Sequence, residues 1–353
     1  MTYRRAFGLD HLDRMSDHRG LFEHADGAVR RLEHGYCTDD NARLLALASR
    51  EPDTGHAHRL SRLALQFLLD GQAADGRWHN RMDSEGRWTD RASTDDCWGR
   101  SLSALGTAAA HHSDPDVRWR ALHAFERGAR HRSRWPRAMA FAALGAAEVV
   151  ASHPHHGAAR SLLNDLVAAS VPRPPEPGTG RDRGARRVGS GLATWNWPEP
   201  RLAYANATLA EGLIAAASAL DRPAALARGL GRLDWLLSRE TRNGHLSVTG
   251  VGGSGPDDDG PRFDQQPIEA AAMADACWRA YRCTGDGRWI AGIDLAARWF
   301  LGENDTGAAM FDAGTGGGYD GLRIDGVNIN QGAESTIALV STMQRSRSFA
   351  PAS

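Results

Sequence analysis

Asp39 and Asp40, Asp95 and Asp96, Glu269, and Glu334 each stand at or near the start of an Ala- and Leu-rich run, directly after a loop rich in Gly, Asp, Asn, Trp or Pro. Two carboxylates facing each other across a sugar-sized gap can hydrolyse a glycosidic bond. One, held protonated by an apolar setting, gives its proton to the leaving oxygen, and the other activates water or attacks carbon. A gap of about 6.5–9.5 Å between them would mean inversion, and about 5–5.5 Å retention. The working assignment makes Glu269 the acid and Glu334 the base, with Asp40 and Asp96 binding sugar hydroxyls or exchanging roles with them. Asp39, His34, His79, Asp95, Trp98, Arg100, Trp197, Asp264, Gln265 and Gln331 are the expected substrate-binding residues around these four.

Helix capping competes with that reading, because Asp, Asn, Ser and Thr are preferred N-caps and an early Glu completes a capping box. Thr38 or Asp39, Ser93 or Thr94, and Asn330 could serve as caps alone. The doubled acids exceed what one cap needs. Glu334 also lies four residues after Asn330 on a run that is otherwise of buried type, where a carboxylate needs a reason to be.

The elements that must position these groups follow from a repeated grammar. Helical runs with apolar spacing of three and four residues begin at Thr38, Thr94, Arg134, Pro198, Phe263 and Asn330, and each is followed by a second, amphipathic run. The first run of each pair is apolar on all sides, as expected of an inner helix, and the second carries charge on one face. One outer helix is missing from the count, and Tyr3 to Met15 is expected to fill that place. The simplest closed solution is an all-α (α/α)6 toroid forming one domain over 1–353. Connections from outer to inner runs are long (Gly71 to Ser93, Pro172 to Pro198, Thr241 to Arg262, Glu303 to Ile329), so they gather at the end where the inner helices begin. Long loops on a rigid scaffold usually build the site. Trp78, Trp88, Trp98, Trp135, Trp195 and Trp197 lie in or beside these loops and offer apolar faces to sugar rings.

Composition removes several other chemistries. The chain has no lysine, which excludes Schiff-base chemistry and the phosphate-binding P-loop. A net charge of −1 gives no nucleic-acid footprint. Cys37, Cys97, Cys277 and Cys283 lack metal-ligand spacing, and Asp257-Asp-Asp-Gly lacks the alternating ligands of a calcium loop, so neither metal nor cofactor is expected. The N-terminus lacks an apolar signal core and no run reaches membrane-spanning length, which gives a cytoplasmic expectation.

The motifs His-Gly-Tyr-Cys-Thr-Asp-Asp-Asn-Ala-Arg at 34–43, Asp-Asp-Cys-Trp-Gly-Arg at 95–100, Phe-Asp-Gln-Gln-Pro-Ile-Glu-Ala at 263–270 and Asn-Gln-Gly-Ala-Glu-Ser-Thr at 330–336 resemble a bacterial family of (α/α)6 proteins described as glycosyltransferase-associated. The resemblance spans nearly the whole chain and implies a carbohydrate substrate. Tyr204-Ala-Asn-Ala departs from the Tyr-Asp-Asn-Ala of that family, which removes any acid role at 205. Glycoside hydrolysis of an oligosaccharide is therefore the first expectation. A sugar isomerase or epimerase using His34, His79 and His245 is the second, and a non-catalytic glycan-binding module the third.

Overall fold

A computed structural model describes residues 7–51, 54–171 and 195–349; the Arg-rich segment within the expected loop from Pro172 to Pro198 falls outside them. In chain order the helices are α1 (Asp10–Arg14), α2 (Thr38–Ala48), α3 (Gly55–Gly71), α4 (Asp96–His111), α5 (Pro115–Gly128), α6 (Pro136–Ser152), α7 (Gly157–Ala169), α8 (Asn206–Ala219), α9 (Pro223–Arg239), α10 (Pro267–Thr284), α11 (Arg288–Phe300) and α12 (Ala333–Arg347).

The even-numbered helices form the inner ring. Each packs on the next, α2 on α4, α4 on α6, α6 on α8, α8 on α10 and α10 on α12, and α12 returns to α2. The odd-numbered helices lie outside, with α3, α5, α7, α9 and α11 each against the inner helix before it and α1 against α12. The missing outer place is thus filled at the N-terminus, as expected, but by a helix of only five residues. This closed double layer is an (α/α)6 toroid.

Side-chain size explains the two layers. On the outer α9 the buried positions Ala225, Gly229, Leu233 and Leu236 recur at helical spacing, while the inner α8 is buried from Asn206 through Ala217. Small residues let the inner helices nearly touch. A Cβ on Gly145 of α6 would sit 1.9 Å from the Leu102 carbonyl oxygen of α4, and one on Gly106 would sit 2.2 Å from the Gly145 oxygen. At this seam only glycine leaves room for the facing backbone.

The connections from outer to inner helices carry short antiparallel ladders: β1 (Ala25–Asp26) with β2 (Val29–Arg30), β3 (Tyr36–Cys37) with β4 (Arg81–Met82), β5 (Thr241–Arg242) with β6 (His245–Leu246), and β7 (Gly321–Arg323) with β8 (Gly326–Asn328). Isolated bridges join different loops, Leu202 to Ser254 and Gln265 to both Gly250 and Leu322. Backbone pairing therefore ties the loops into a collar around the N-terminal ends of the inner helices. No helix among the described residues is long and apolar enough to cross a membrane.

Candidate active site

The first turns of the inner helices do not use the expected caps. On α2 the N-cap is Cys37, whose Sγ accepts from the Asp40 N–H at 3.4 Å. Asp95 precedes α4 without a side-chain cap bond, and Gly332 precedes α12. Thr38 instead donates its hydroxyl to the His79 carbonyl at 2.7 Å, and Asn330 accepts from the Gly27 N–H at 3.0 Å. Capping thus leaves the carboxylates of Asp39, Asp40, Asp96 and Glu334 available for other work.

Two arginines collect them. Arg43, one turn into α2, places Nη1 2.5 Å from Asp40 Oδ1 and Nη2 2.5 Å from Glu334 Oε2, so the two carboxylates share one guanidinium. Arg100 of α4 lies 3.6 Å from Asp39 and 3.9 Å from Asp96, its guanidinium stacked 4.0 Å over the Phe141 ring. Asp40 is buried, and desolvation, with Glu334 adding to it against the pull of Arg43, raises its pKa to about 7. Burial also raises Asp39. Glu334 is the most open of the four, with 37% of its side chain exposed.

Glu269 has a different setting. It is buried, and its two oxygens accept from the backbone N–H groups of Ala205 and Asn206, with Asn206 Nδ2 at 3.4 Å from Oε2. A carboxylate on α10 therefore caps the start of α8. Ala205 sits in the left-handed region (φ 44°), a costly place for a residue with a Cβ, and Glu269 holds it there. Desolvation, then Glu240, pushes Glu269 up to about 8. The expected acid is thus bonded into the barrel wall, because the helix start beside it lacks a capping side chain of its own.

Beside it, Arg137 donates to both oxygens of Glu199 at 2.7 and 2.8 Å, reaches Asn206 Oδ1 at 3.3 Å, and lies 4.7 Å under the Tyr204 ring. The Tyr204 hydroxyl in turn donates to Asp96 Oδ2 at 2.9 Å. Sequence reasoning singles out none of Arg43, Arg137 and Tyr204 as site residues. For the two arginines the signal is the pattern Asn-Ala-Arg or Pro-Arg within a first helical turn.

Several expected binding residues serve the scaffold instead. Trp98 is fully buried and donates to the Gly128 carbonyl at 3.0 Å, since its place on α4 faces the outer helix. Trp197 is buried and stacks on Trp235, ring centroids 5.9 Å apart. Gln265 bridges Asp305 at 2.6 Å and Trp299 at 3.1 Å within the collar, and Gln331 bonds Thr315 and Asp312. Asp264 is exposed, 3.9 Å from Arg323. His79 bonds the Asp90 carbonyl at 2.8 Å and stacks on Trp88, His245 pairs with Asp305 at 3.0 Å, and His34 is exposed beside Glu33. Asp95 accepts from Trp135 Nε1 at 2.8 Å on the lip.

Below the mouth runs an axial cavity of about 130 Å³ whose lining includes both Arg43 and Arg100. None of His34, His79 and His245, and none of Asp39, Asp40, Asp96 and Glu334, is among its lining residues. Deeper in the barrel the lining is a charge belt. Arg345 meets Asp275 at 2.6 Å, Arg279 meets Glu148 at 2.6 Å and Glu211 at 3.7 Å, and His111 meets Glu148 at 2.7 Å. Desolvation, with Asp275 adding to it, raises Glu211 to about 7, whereas Arg279 and His111 outweigh burial and hold Glu148 well below the carboxylate range.

Among the described residues one group could hold a cation: ligand atoms of Glu23, Cys37 and Asp40 lie within 4.8 Å of one another. Arg43 on Asp40 and Arg81 on Glu23 already supply positive charge there, which fits poorly with a metal.

No family model matches the chain, and no curated protein matches it. Solved structures do. The chain is similar to a sugar epimerase from a ruminal bacterium (12% identity, TM-score 0.70, covering 99% of this chain and 98% of that one). It is also similar to a D-mannose isomerase (11%, 0.65, 98% and 97%) and to the cellulase Cel9M of C. cellulolyticum (8%, 0.58, 94% and 87%). At these identities the likeness shows the shared (α/α)6 fold.

Proposed function

We propose that the chain is a carbohydrate-active enzyme that epimerises or isomerises a reducing sugar bound at the barrel mouth, with carboxylates as the proton carriers. The observation behind this is that the acids of the mouth are paired with two guanidiniums, Arg43 and Arg100, that also line the cavity. Removing the proton next to the carbonyl of an open-chain sugar leaves an anionic enediolate, which such cations stabilise. The C2 proton passes to one carboxylate; a proton given to C2 on the opposite face by a second, protonated acid yields the epimer, while protonation at C1, with the O2 hydroxyl proton moving to O1, yields the ketose. Glu334, the most open of the four acids around the two guanidiniums, is the base. Asp40, raised toward neutrality and sharing Arg43 with it, adjusts its charge. Asp96 on the Arg100 side is the second proton carrier. His34, His79 and His245, the histidine version of this reading, lie outside the cavity lining, as do Glu334, Asp40 and Asp96; the acids are preferred because they share the two guanidiniums that reach into it.

The whole-length likeness to an epimerase and an isomerase favours this order over the hydrolase expectation. Hydrolysis stays the second reading, because the same acids could flank a glycosidic oxygen and a cellulase shares the fold. Proton NMR in D2O with mannose, glucose, cellobiose and mannobiose separates the two. Exchange of the C2 hydrogen, abolished in Glu334→Gln and cut at least ~100-fold in Asp96→Asn, supports the first reading. New reducing ends without exchange support the second, and no change in any sugar refutes both.

A further inference from the structure

We propose that the lip above α4 is a second sugar subsite, formed by Trp135 and Tyr204 with the Asp95–Asp96 doublet, which makes the substrate at least a disaccharide. The inference rests on the preceding reading only in placing the reacting sugar at the mouth.

Trp78, Trp98, Trp289 and Trp299 are all buried, whereas Trp135 is 46% and Tyr204 44% exposed. Trp119 on the outer α5 is open too, at 62%, but Trp135 and Tyr204 stand together over the start of an inner helix, where contact with a ligand would recover the burial they forgo. Neither ring is loose. Trp135 Nε1 donates to Asp95 Oδ1 at 2.8 Å, and the Tyr204 hydroxyl donates to Asp96 Oδ2 at 2.9 Å. One face of each ring is taken by a guanidinium, Arg134 at 4.5 Å and Arg137 at 4.7 Å. A stacking sugar would take the face opposite the arginine. Arg137 is itself buried and clamped by Glu199, which fixes Tyr204 from below.

The rings come from the starts of α6 and α8, and both reach back to the start of α4. Ala205, the residue after Tyr204, lines the axial cavity, so the platform adjoins it. Arg100 lines the cavity too; it is buried, and its Nε has no hydrogen-bond partner among the described residues. The Asp40–Glu334 pair belongs to another arc of the ring, where α12 meets α2. A hexose unit offers an apolar C–H face to such rings and hydroxyl edges to Asp95 and Asp96. The lip thus suits the sugar unit next to the one being converted.

The test is calorimetric titration of the wild-type chain, Trp135→Ala and Tyr204→Ala with mannose, cellobiose and mannobiose, with melting curves to confirm folding. Trp135→Ala should weaken disaccharide binding about tenfold, equal to about 1.4 kcal/mol, and leave mannose binding unchanged, while Tyr204→Ala, which also releases Asp96, should weaken disaccharide binding by at least as much. Tyr204→Phe, which keeps the ring, should fall between. Equal loss for mannose and disaccharide in Trp135→Ala, or no loss for either sugar in both variants, overturns the subsite alone. A wild-type chain that binds none of these sugars overturns the reading of the mouth, and the subsite falls with it.

Discussion

Replacing Glu269 by Gln tests whether this carboxylate is a wall element or a proton donor. In the fold its oxygens accept from the N–H groups of Ala205 and Asn206 in a buried position. The protonated carboxyl still offers a carbonyl and a hydroxyl oxygen as acceptors, whereas Gln keeps only the carbonyl and turns an NH2 toward the other N–H, leaving a buried donor unsatisfied at a cost of about 1–3 kcal/mol. The same substitution removes a buried acid whose pKa stands at about 8 instead of 4.5. With a raised acid pKa, the folded chain keeps its proton between those values while the unfolded chain has released it, so wild-type stability falls as pH rises through that window. A tenfold difference in proton affinity between the two states corresponds to about 1.4 kcal/mol, and the full effect is reached only above pH ~8. Glu269→Gln should therefore melt several degrees below wild type at pH 5, at roughly 2–4 °C per kcal/mol, and the gap should shrink or invert by pH 8. Scanning calorimetry across that range reads it directly. A gap that is absent at pH 5, or constant or widening with pH, refutes the capping argument; lost turnover at unchanged melting would return Glu269 to the role of acid.

Wild type itself should melt higher near pH 5 than near pH 8, because Asp40, Glu211 and Glu240 are also raised to about 7 and act with the same sign as Glu269; a flat or rising melting temperature over that range would contradict this. Ala205→Gly should raise stability by about 1 kcal/mol, since glycine takes the left-handed backbone without the Cβ penalty, and chemical denaturation showing a loss would contradict the strain assigned there. Gly145→Ala should cost at least about 3 kcal/mol, because its Cβ would meet the Leu102 carbonyl across the α4–α6 seam, and a near-normal melting point would mean that this seam yields.

The toroid is legible in the sequence because each inner helix announces itself twice, by an apolar run without a polar face and by a loop of cap-forming residues before it. The side on which long loops gather follows from their lengths alone. Site residues are harder to read. Asp40 and Glu334 meet on Arg43, and Asp39 and Asp96 lie within 3.9 Å of Arg100, so the four acids form two pairs. Glu269 holds an equivalent position in sequence yet points into the wall, because the neighbouring α8 starts at a left-handed alanine and draws the carboxylate to its free N–H groups. Trp98 and Trp197 lie near the loops, which suggests contact with ligand, but their rings face outer helices and the core.

By itself the sequence determined which residues begin helices, which faces are apolar and that acids, with no lysine, stand at the helix starts, since these depend on local spacing and composition. Only the tertiary structure decided which acids share a guanidinium, which one caps a neighbour and which rings stay open on the lip. Those outcomes depend on contacts between residues such as Arg43 and Glu334, or Tyr204 and Asp96, that lie far apart in the chain and meet only when the ring closes.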